Sequence, residues 1–414
     1  MSSFEEEKPF LKRNISLFND QHKELKWYDN PILQANDSSP VTATTSSSLC
    51  TYVWIGLSTI VLFPIGLIVF ILFLIFWILP GFGWLYERYA EARDRKNYYP
   101  PADEMKPWGR DNKLIHVVHL LAPESRLPPI VYISGMGVSM YLVKPLLKKF
   151  AEYMGEPVEI ISFDSPGYGA SESPTDWNTD NAEIELSLLR RVVTNLKVRK
   201  PFILEGASAG ATLVQLYRVT YPEDVAGIVL IDPTPSNAFQ QGSPLASDFN
   251  RASFVCRTIA FAASCGLLRP LLPIVRYFAS REFSDIYHLL LPGYFELSLT
   301  KTMLLKIANH LRSLSGMMDN VLKLQNNAIF DRRTPLLVVS ALNWTKNRPS
   351  GGLTREEMRH WWSNSQQSFI RSSDNAGFVR RTDYTHMQCV LDMELAANAT
   401  KAILTQIRCG IVQK

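Results

Sequence analysis

The segment Gly206-Ala207-Ser208-Ala209-Gly210 directly follows the strand-like Phe202–Glu205 and directly precedes a helical stretch. Small flanking residues permit a sharp strand-to-helix turn. Such a turn lifts a serine Oγ clear of a sheet and aims the amides of the following helix at it, which is the setting of a nucleophile. A second small-residue exit, Ser134-Gly135-Met136-Gly137, closes another strand-like stretch. Backbone donors placed beside a nucleophile can hold a developing oxyanion, and glycine allows that close approach. The amides of Met136 and Ala209 are the candidate pair. A third strand exit, Asp164-Ser165-Pro166-Gly167-Tyr168-Gly169-Ala170-Ser171, fixes a loop by its Pro and Gly residues. Asp164 there is expected to brace the loop.

Elements that could position these groups alternate along residues 113–414. Strand-like segments are Leu114–Leu121, Ile130–Ser134, Val158–Asp164, Phe202–Glu205, Ile228–Asp232, Leu336–Ala341 and Phe378–Arg381. Several are short, β-branched and bounded by Pro or Gly, as buried strands are. Helical patterns fall between most of them, at Tyr141–Tyr153, Ala182–Leu196, Ala209–Thr220 and Glu394–Ile407. That order predicts an α/β fold built on a mostly parallel, doubly wound sheet. The rhythm breaks between Asp232 and Leu336, where Ser247 to Asn327 reads as helical and apolar. The expectation is a helical cap inserted at about residues 236–330.

With GASAG, SGMG and DSPGYGAS in this order, residues 113–414 resemble the α/β-hydrolase-fold superfamily. SGMG stands where that family often has HG-x-G, and DSPGYGAS is similar to its D-x-P-G-x-G-x-S loop. The resemblance implies an eight-stranded, mostly parallel sheet, an active site at the strand C-termini, and a catalytic triad in chain order Ser, acid, His. It implies Ser208 as nucleophile. Of the seven histidines, His22 lies in the N-terminal tail, His116 and His119 in an early strand, His288 and His310 in the cap, and His360 in a Trp-rich helix. His386, in Asp383-Tyr384-Thr385-His386-Met387 after the final strand, occupies the family's histidine position. The acid departs from the pattern. The family usually places it after the strand Leu336–Ala341, and there the chain has Asn343 and no carboxylate. Two assignments follow: Asp232, at the end of the preceding strand, or Asn343 as a neutral partner that orients His386. A third outcome is an incomplete triad.

The chain has 414 residues, a net charge of +4 and no long Lys/Arg run, which argues against nucleic-acid binding. Its five cysteines, Cys50, Cys256, Cys265, Cys389 and Cys409, are scattered and form no CxxC or Cys/His spacing. No metal and no cofactor are therefore expected. From Tyr52 to Tyr86 there is no charged residue. Its densest part, Val53 to Leu79, is long enough to cross a bilayer as one helix, with Trp54, Trp77, Trp84 and Tyr86 near its ends as interface anchors. Residues 1–51 read as a disordered polar tail, 52–86 as a transmembrane segment and 87–112 as a charged, Pro-containing linker. Arg88, Arg93, Arg95 and Lys96 favour the cytoplasm for the C-terminal side; Lys8, Lys12, Arg13, Lys23 and Lys26 in the tail argue for the reverse.

Taken together, these features predict a single-pass, membrane-anchored serine hydrolase. It would cleave carboxylic esters, small-molecule or lipid, through an acyl-enzyme on Ser208. The alternative is a catalytically degenerate relative that binds a ligand or partner in the cap cleft.

Overall fold

The computed structural model describes residues 26–27, 64–71, 82–108, 112–173, 182–238, 243–282, 284–327, 332–343 and 353–409. The tail 1–51 and the apolar segment 52–86 lie outside them, apart from 26–27, 64–71 and 82–86.

Runs of Val, Ile and Leu too apolar for a half-exposed strand form the centre of the sheet. The strands are β1 (Lys26–Trp27), β2 (Met105–Trp108), β3 (Lys113–Leu120), β4 (Ile130–Ile133), β5 (Ile160–Phe163), β6 (Phe202–Ala207), β7 (Val225–Ile231), β8 (Leu336–Ala341) and β9 (Ala376–Arg381). Every residue of β4 to β8 is buried, because helices cover both faces. Strand alternation sends Ile130 and Tyr132 to one core and Val131 and Ile133 to the other. The first core is sealed by α2 (Met140–Met154), α9 (His386–Leu391) and α10 (Met393–Arg408). The second is sealed by α3 (Ala182–Asn195) and α4 (Gly210–Thr220).

The strand order is β1-β9-β8-β7-β6-β4-β5-β3-β2. The pairings from β5 through β4, β6, β7 and β8 to β9 are parallel, while β3 and β2 complete one edge antiparallel. From β4 the chain goes outward to β5 and then returns to β6 on the other side. The order therefore reverses between β4 and β6, and the C-terminal ends at such a switch point leave a crevice for ligands.

Between β7 and β8 the chain forms the cap. Its long helices are α5 (Ala246–Ser264), α6 (Leu272–Glu282) and α7 (Lys301–Asn327), and α7 packs on α5, α4 and α3. A further helix, α8 (Arg355–Gln367), precedes β9 and starts with a capping box between Thr354 and Glu357.

Much of the described part of segment 87–112, expected as a linker, takes regular structure. Helix α1 (Phe82–Tyr98) runs through its first half, and β2 joins the sheet before residue 113. Gly83, Glu87, Ala90 and Asp94 form a buried stripe at helical spacing. The charged members of that stripe are matched by Arg269 of the cap, 182 residues beyond Glu87. A local reading takes such carboxylates for a solvated face.

Candidate active site

Ser208 sits between β6 and α4 with φ +51°, in the left-handed region that disfavours a side chain. The surroundings over-determine this strained turn. The Ser208 N–H donates to the Ile231 carbonyl at 2.9 Å, and the Ser208 carbonyl accepts from the Thr234 N–H at 3.1 Å. The β6–β7 ladder thus continues past the strand ends and ties the serine to the turn after β7. The glycines beside it are steric requirements. A Cβ on Gly210 would lie 2.4 Å from the Ile133 carbonyl oxygen, and one on Gly135 would lie 3.1 Å from the Ser208 Cβ. Without them α4 could not approach β4, nor the β4 exit the serine.

His386 opens α9, where Thr385 and Gln388 form a capping box that sets the angle of the first turn. Its Nε2 lies 3.0 Å from Ser208 Oγ, and its Nδ1 lies 2.6 Å from Asp232 Oδ2. Asp232 is buried at the end of β7, with φ +41°. Its other oxygen, Oδ1, accepts three hydrogen bonds: from the Ala341 N–H at 3.0 Å, Trp362 Nε1–H at 2.9 Å and Gln366 Nε2–H at 2.8 Å. These donors compensate a buried charge and leave Oδ2 for the histidine. The Trp362 ring also meets the His386 ring edge-on, 6.2 Å between centroids. Asn343 turns elsewhere. Its N–H donates to the Tyr384 carbonyl at 2.9 Å and its side-chain amide to the Asp383 carbonyl at 3.4 Å. Of the two candidates for the acid position, Asp232 is the one beside the imidazole.

Met136 and Ala209 lie at the β4 exit and the elbow. Among the described residues neither amide donates to a protein acceptor. A small adjoining cleft is walled by Ile133, Gly135, Phe163, Ala209 and Leu213. A polar wall faces these. Ser165 Oγ donates to Glu185 Oε2 at 2.7 Å, and Lys306 Nζ donates to Glu185 Oε1 at 2.8 Å, with both charged side chains buried. Burial pushes the Glu185 carboxyl up, but Lys306, His310 and Ser165 outweigh it and hold the group below the usual carboxylate range. Tyr168 OH lies 3.1 Å from His310 Nδ1 and accepts from the Gly137 N–H at 3.2 Å. One chain of polar contacts therefore runs from cap helix α7 to the loop that carries Met136.

The remaining histidines lie apart from Ser208. His116 is buried against Glu104 at 3.0 Å, with Asp164 at 3.6 Å; His119 pairs with Glu159 at 2.8 Å; His288 and His360 are exposed; His22 lies outside the described residues. Asp164 braces the loop start by accepting from the Met140 N–H at 2.9 Å. No cluster of three or more His, Cys, Asp or Glu among the described residues could hold a metal ion. Sequence reasoning missed Trp362 and Gln366, although the Trp361-Trp362 pair in a polar helix was a visible signal. It also missed the Glu185–Lys306 pair, which no local pattern marks.

Comparison with known proteins agrees with this architecture. The model of the alpha/beta hydrolase family matches residues 130–390, more than half of the chain. The Abhydrolase domain-containing protein abhd-5.2 of Caenorhabditis elegans is 32% identical over 109 residues, a match that spans 25% of this chain and 23% of that protein. The Cif epoxide hydrolase of Acinetobacter nosocomialis superposes with a TM-score of 0.55 at 15% identity, covering 77% of this chain and 95% of that one. A carboxylesterase structure from Nitrososphaera gargenis gives 0.52 at 13% identity, over 74% and 99%. At these identities the structural likeness speaks to the fold alone. The family match, together with the switch-point sheet, the elbow and the inserted cap, places the chain in the alpha/beta hydrolase family.

Proposed function

We propose that the chain is a membrane-anchored serine hydrolase that cleaves carboxylic esters, lipid esters among them, through an acyl-enzyme on Ser208. The observation that carries this reading is the continuous relay of Ser208 Oγ, His386 and Asp232, with contacts of 3.0 and 2.6 Å. In the proposed reaction His386 Nε2 takes the Ser208 proton as Oγ attacks the ester carbonyl. The Met136 and Ala209 amides receive the oxyanion. Collapse breaks the bond to the alcohol, which leaves with the proton held by His386. Water, deprotonated by the same nitrogen, then attacks the acyl-enzyme, and the proton returns to Ser208 as the acid is released. Asp232 keeps the Nδ1 proton in place, so that Nε2 stays the acceptor, and steadies the imidazolium. The scheme uses only this chain's groups and water.

Membrane attachment rests on the uncharged run 53–79. Residues 64–71 within it are helical and exposed. No single described helix is long and apolar enough to cross a membrane. The alternative, a cleft that binds without turnover, drew on the missing carboxylate after Ala341. Asp232 beside His386 supports the catalytic reading instead.

The test is labelling of the membrane-expressed protein with a fluorophosphonate, beside Ser208→Ala and His386→Ala. Wild-type labelling that disappears in both variants is the expected result. Folded wild-type protein that labels no faster than Ser208→Ala overturns the proposal.

A further inference from the structure

Cap and helix α1 expose an unusual amount of large apolar side chain. On α5, Phe254 is 70% exposed and Phe261 71%, with Thr258 between them on the same face. On α6, Ile274, Tyr277 and Phe278 are exposed, preceded by Leu271. On α1 the first two turns expose Phe82, Trp84, Leu85, Tyr86 and Tyr89. Soluble monomers rarely leave contiguous apolar surface of this kind uncovered.

These faces adjoin. Helix α1 packs against α5. Arg269, between α5 and α6, is almost fully buried and forks onto both oxygens of Glu87 at 3.0–3.2 Å, while also pairing with Asp94. One guanidinium from the cap thus binds two buried carboxylates of α1, with Arg93 of α1 as the second cation on Asp94. Helix α1 cannot swing away without exposing or orphaning those charges. The helix from Arg269 to Glu282 meets α5 at 103°, and the two together are as apolar as a membrane span. They do not cross, however. Ser253, Ala260 and Ala263 are buried on the inner face of α5, and α5 packs along α7, so the pair is part of the folded cap.

We infer that the outer faces of α1, α5 and α6 form one surface that lies in the interfacial layer of a lipid bilayer, so that the cap rests on the same membrane that the run 53–79 enters. The direction of the chain points to this occupant. In the sequence the apolar run ends shortly before Phe82, and α1 carries Trp84, Tyr86 and Tyr89, with Arg88 over the Trp84 ring, in its first turns and Arg95 and Lys96 in its last. Aromatic rings at the interface followed by cations at the phosphates is the expected order for a helix leaving a bilayer. Arg281 of α6, also exposed, adds a cation at the far end of the surface. Helices of this kind sink their apolar face only about 5–10 Å into the boundary layer. The buried ion cluster makes α1 and the cap one rigid part, so the bilayer sets the height of both. An ester drawn from the membrane would then reach the cleft without crossing bulk water.

The inference rests on the proposed membrane attachment and is independent of catalysis. The full chain is reconstituted in vesicles of phosphatidylcholine with a minority of phosphatidylserine. An environment-sensitive fluorescent amino acid replaces Phe254, Phe261 or Phe278 in turn, with Ile68 in the apolar run and His360 on α8 as references. All three cap sites are expected to emit to the blue of His360 and to be quenched more by lipids brominated near the headgroup than by lipids brominated near the chain end. Quenching at Ile68 with water-like emission at the cap sites overturns the inference and leaves the anchor standing. Blue emission at the cap sites without quenching also overturns it, because a second copy or the chain's own run then covers the face. Absence of quenching at Ile68 removes the anchor itself, and with it the inference.

Discussion

The replacement Asp232→Asn tests the acid assignment most directly, because the structure leaves the new amide no acceptable orientation. Oδ1 of Asp232 faces three donors, and Oδ2 faces His386 Nδ1. If the asparagine oxygen keeps the three donors, its NH2 faces Nδ1, which must become an acceptor. The imidazole proton then moves to Nε2, where it blocks acceptance of the Ser208 proton. If the amide flips, its NH2 meets the Ala341, Trp362 and Gln366 donors head-on, with the loss of buried hydrogen bonds each worth roughly 1–3 kcal/mol to leave unmade. The first arrangement is favoured, and it removes the base while preserving the fold. Loss of the correct tautomer in a Ser-His-Asp relay lowers turnover about 10⁴-fold, equivalent to about 5.5 kcal/mol of transition-state stabilisation. The assay is hydrolysis of a short chromogenic ester, with fluorophosphonate labelling rates in parallel and thermal unfolding as the control. Asn343→Ala, whose side chain reaches only the Asp383 carbonyl, is expected to stay within about 2-fold of wild type. A folded Asp232→Asn variant within about 10-fold of wild type refutes the assignment, and an Asn343→Ala loss of similar size would move it to Asn343.

Three further outcomes concern stability. Glu205, wholly buried in β6, has its carboxyl pushed up to about 8 by burial, against a hydrogen bond from Thr400 that works the other way. The folded chain therefore keeps a proton that the unfolded chain sheds in the ordinary carboxylate range. Relative to Glu205→Gln, wild-type stability in chemical denaturation should fall by about 1.4 kcal/mol per pH unit from that range up to pH 8, then level off; a flat difference contradicts this. Ser208→Gly should melt higher than Ser208→Ala by up to about 1 kcal/mol, both inactive, because glycine relieves the positive φ, and equal or reversed midpoints would mean the turn is unstrained. Lys306→Met should cost roughly 3–5 kcal/mol by stranding Glu185, and Lys306→Met with Glu185→Gln should recover most of it in a double-mutant cycle. A double variant whose loss equals the sum of the two single losses would show them to be independent.

What could be read from the sequence follows the range of the interactions involved. β8 emerges at Leu336–Ala341 as expected, because a β-branched run closed by Pro335 and Leu342-Asn343 has no rival local structure. The elbow was legible for a similar reason: Gly206 answers a steric demand made within a few residues, by Ala211 and Val214. Residues 87–98 of α1 were read as linker because their buried carboxylates look solvated until Arg269 arrives from the cap. The cradle of Asp232 was equally hidden. Trp362 and Gln366 come from a helix 130 and 134 residues away, and the Trp361-Trp362 pair marks that helix without naming its partner. Strands β4, β6 and β7 could be placed in order from pattern alone, whereas β2 could not: Met105-Lys106-Pro107-Trp108 carries a proline and a lysine and pairs only along the edge.

The 178-position separation of Ser208 and His386 has a consequence for the making of the protein. At roughly 5–20 residues per second, a ribosome needs on the order of 10–35 s to add the histidine after the serine. During that interval the elbow can form, yet it has no base to activate it. β9 must then line up beside β8 before His386 is carried to Ser208. A chain stalled or cut short before His386 lacks, on this geometry, the imidazole that faces Ser208. On the proposed mechanism, competence waits for His386, which is made long after the apolar run 53–79.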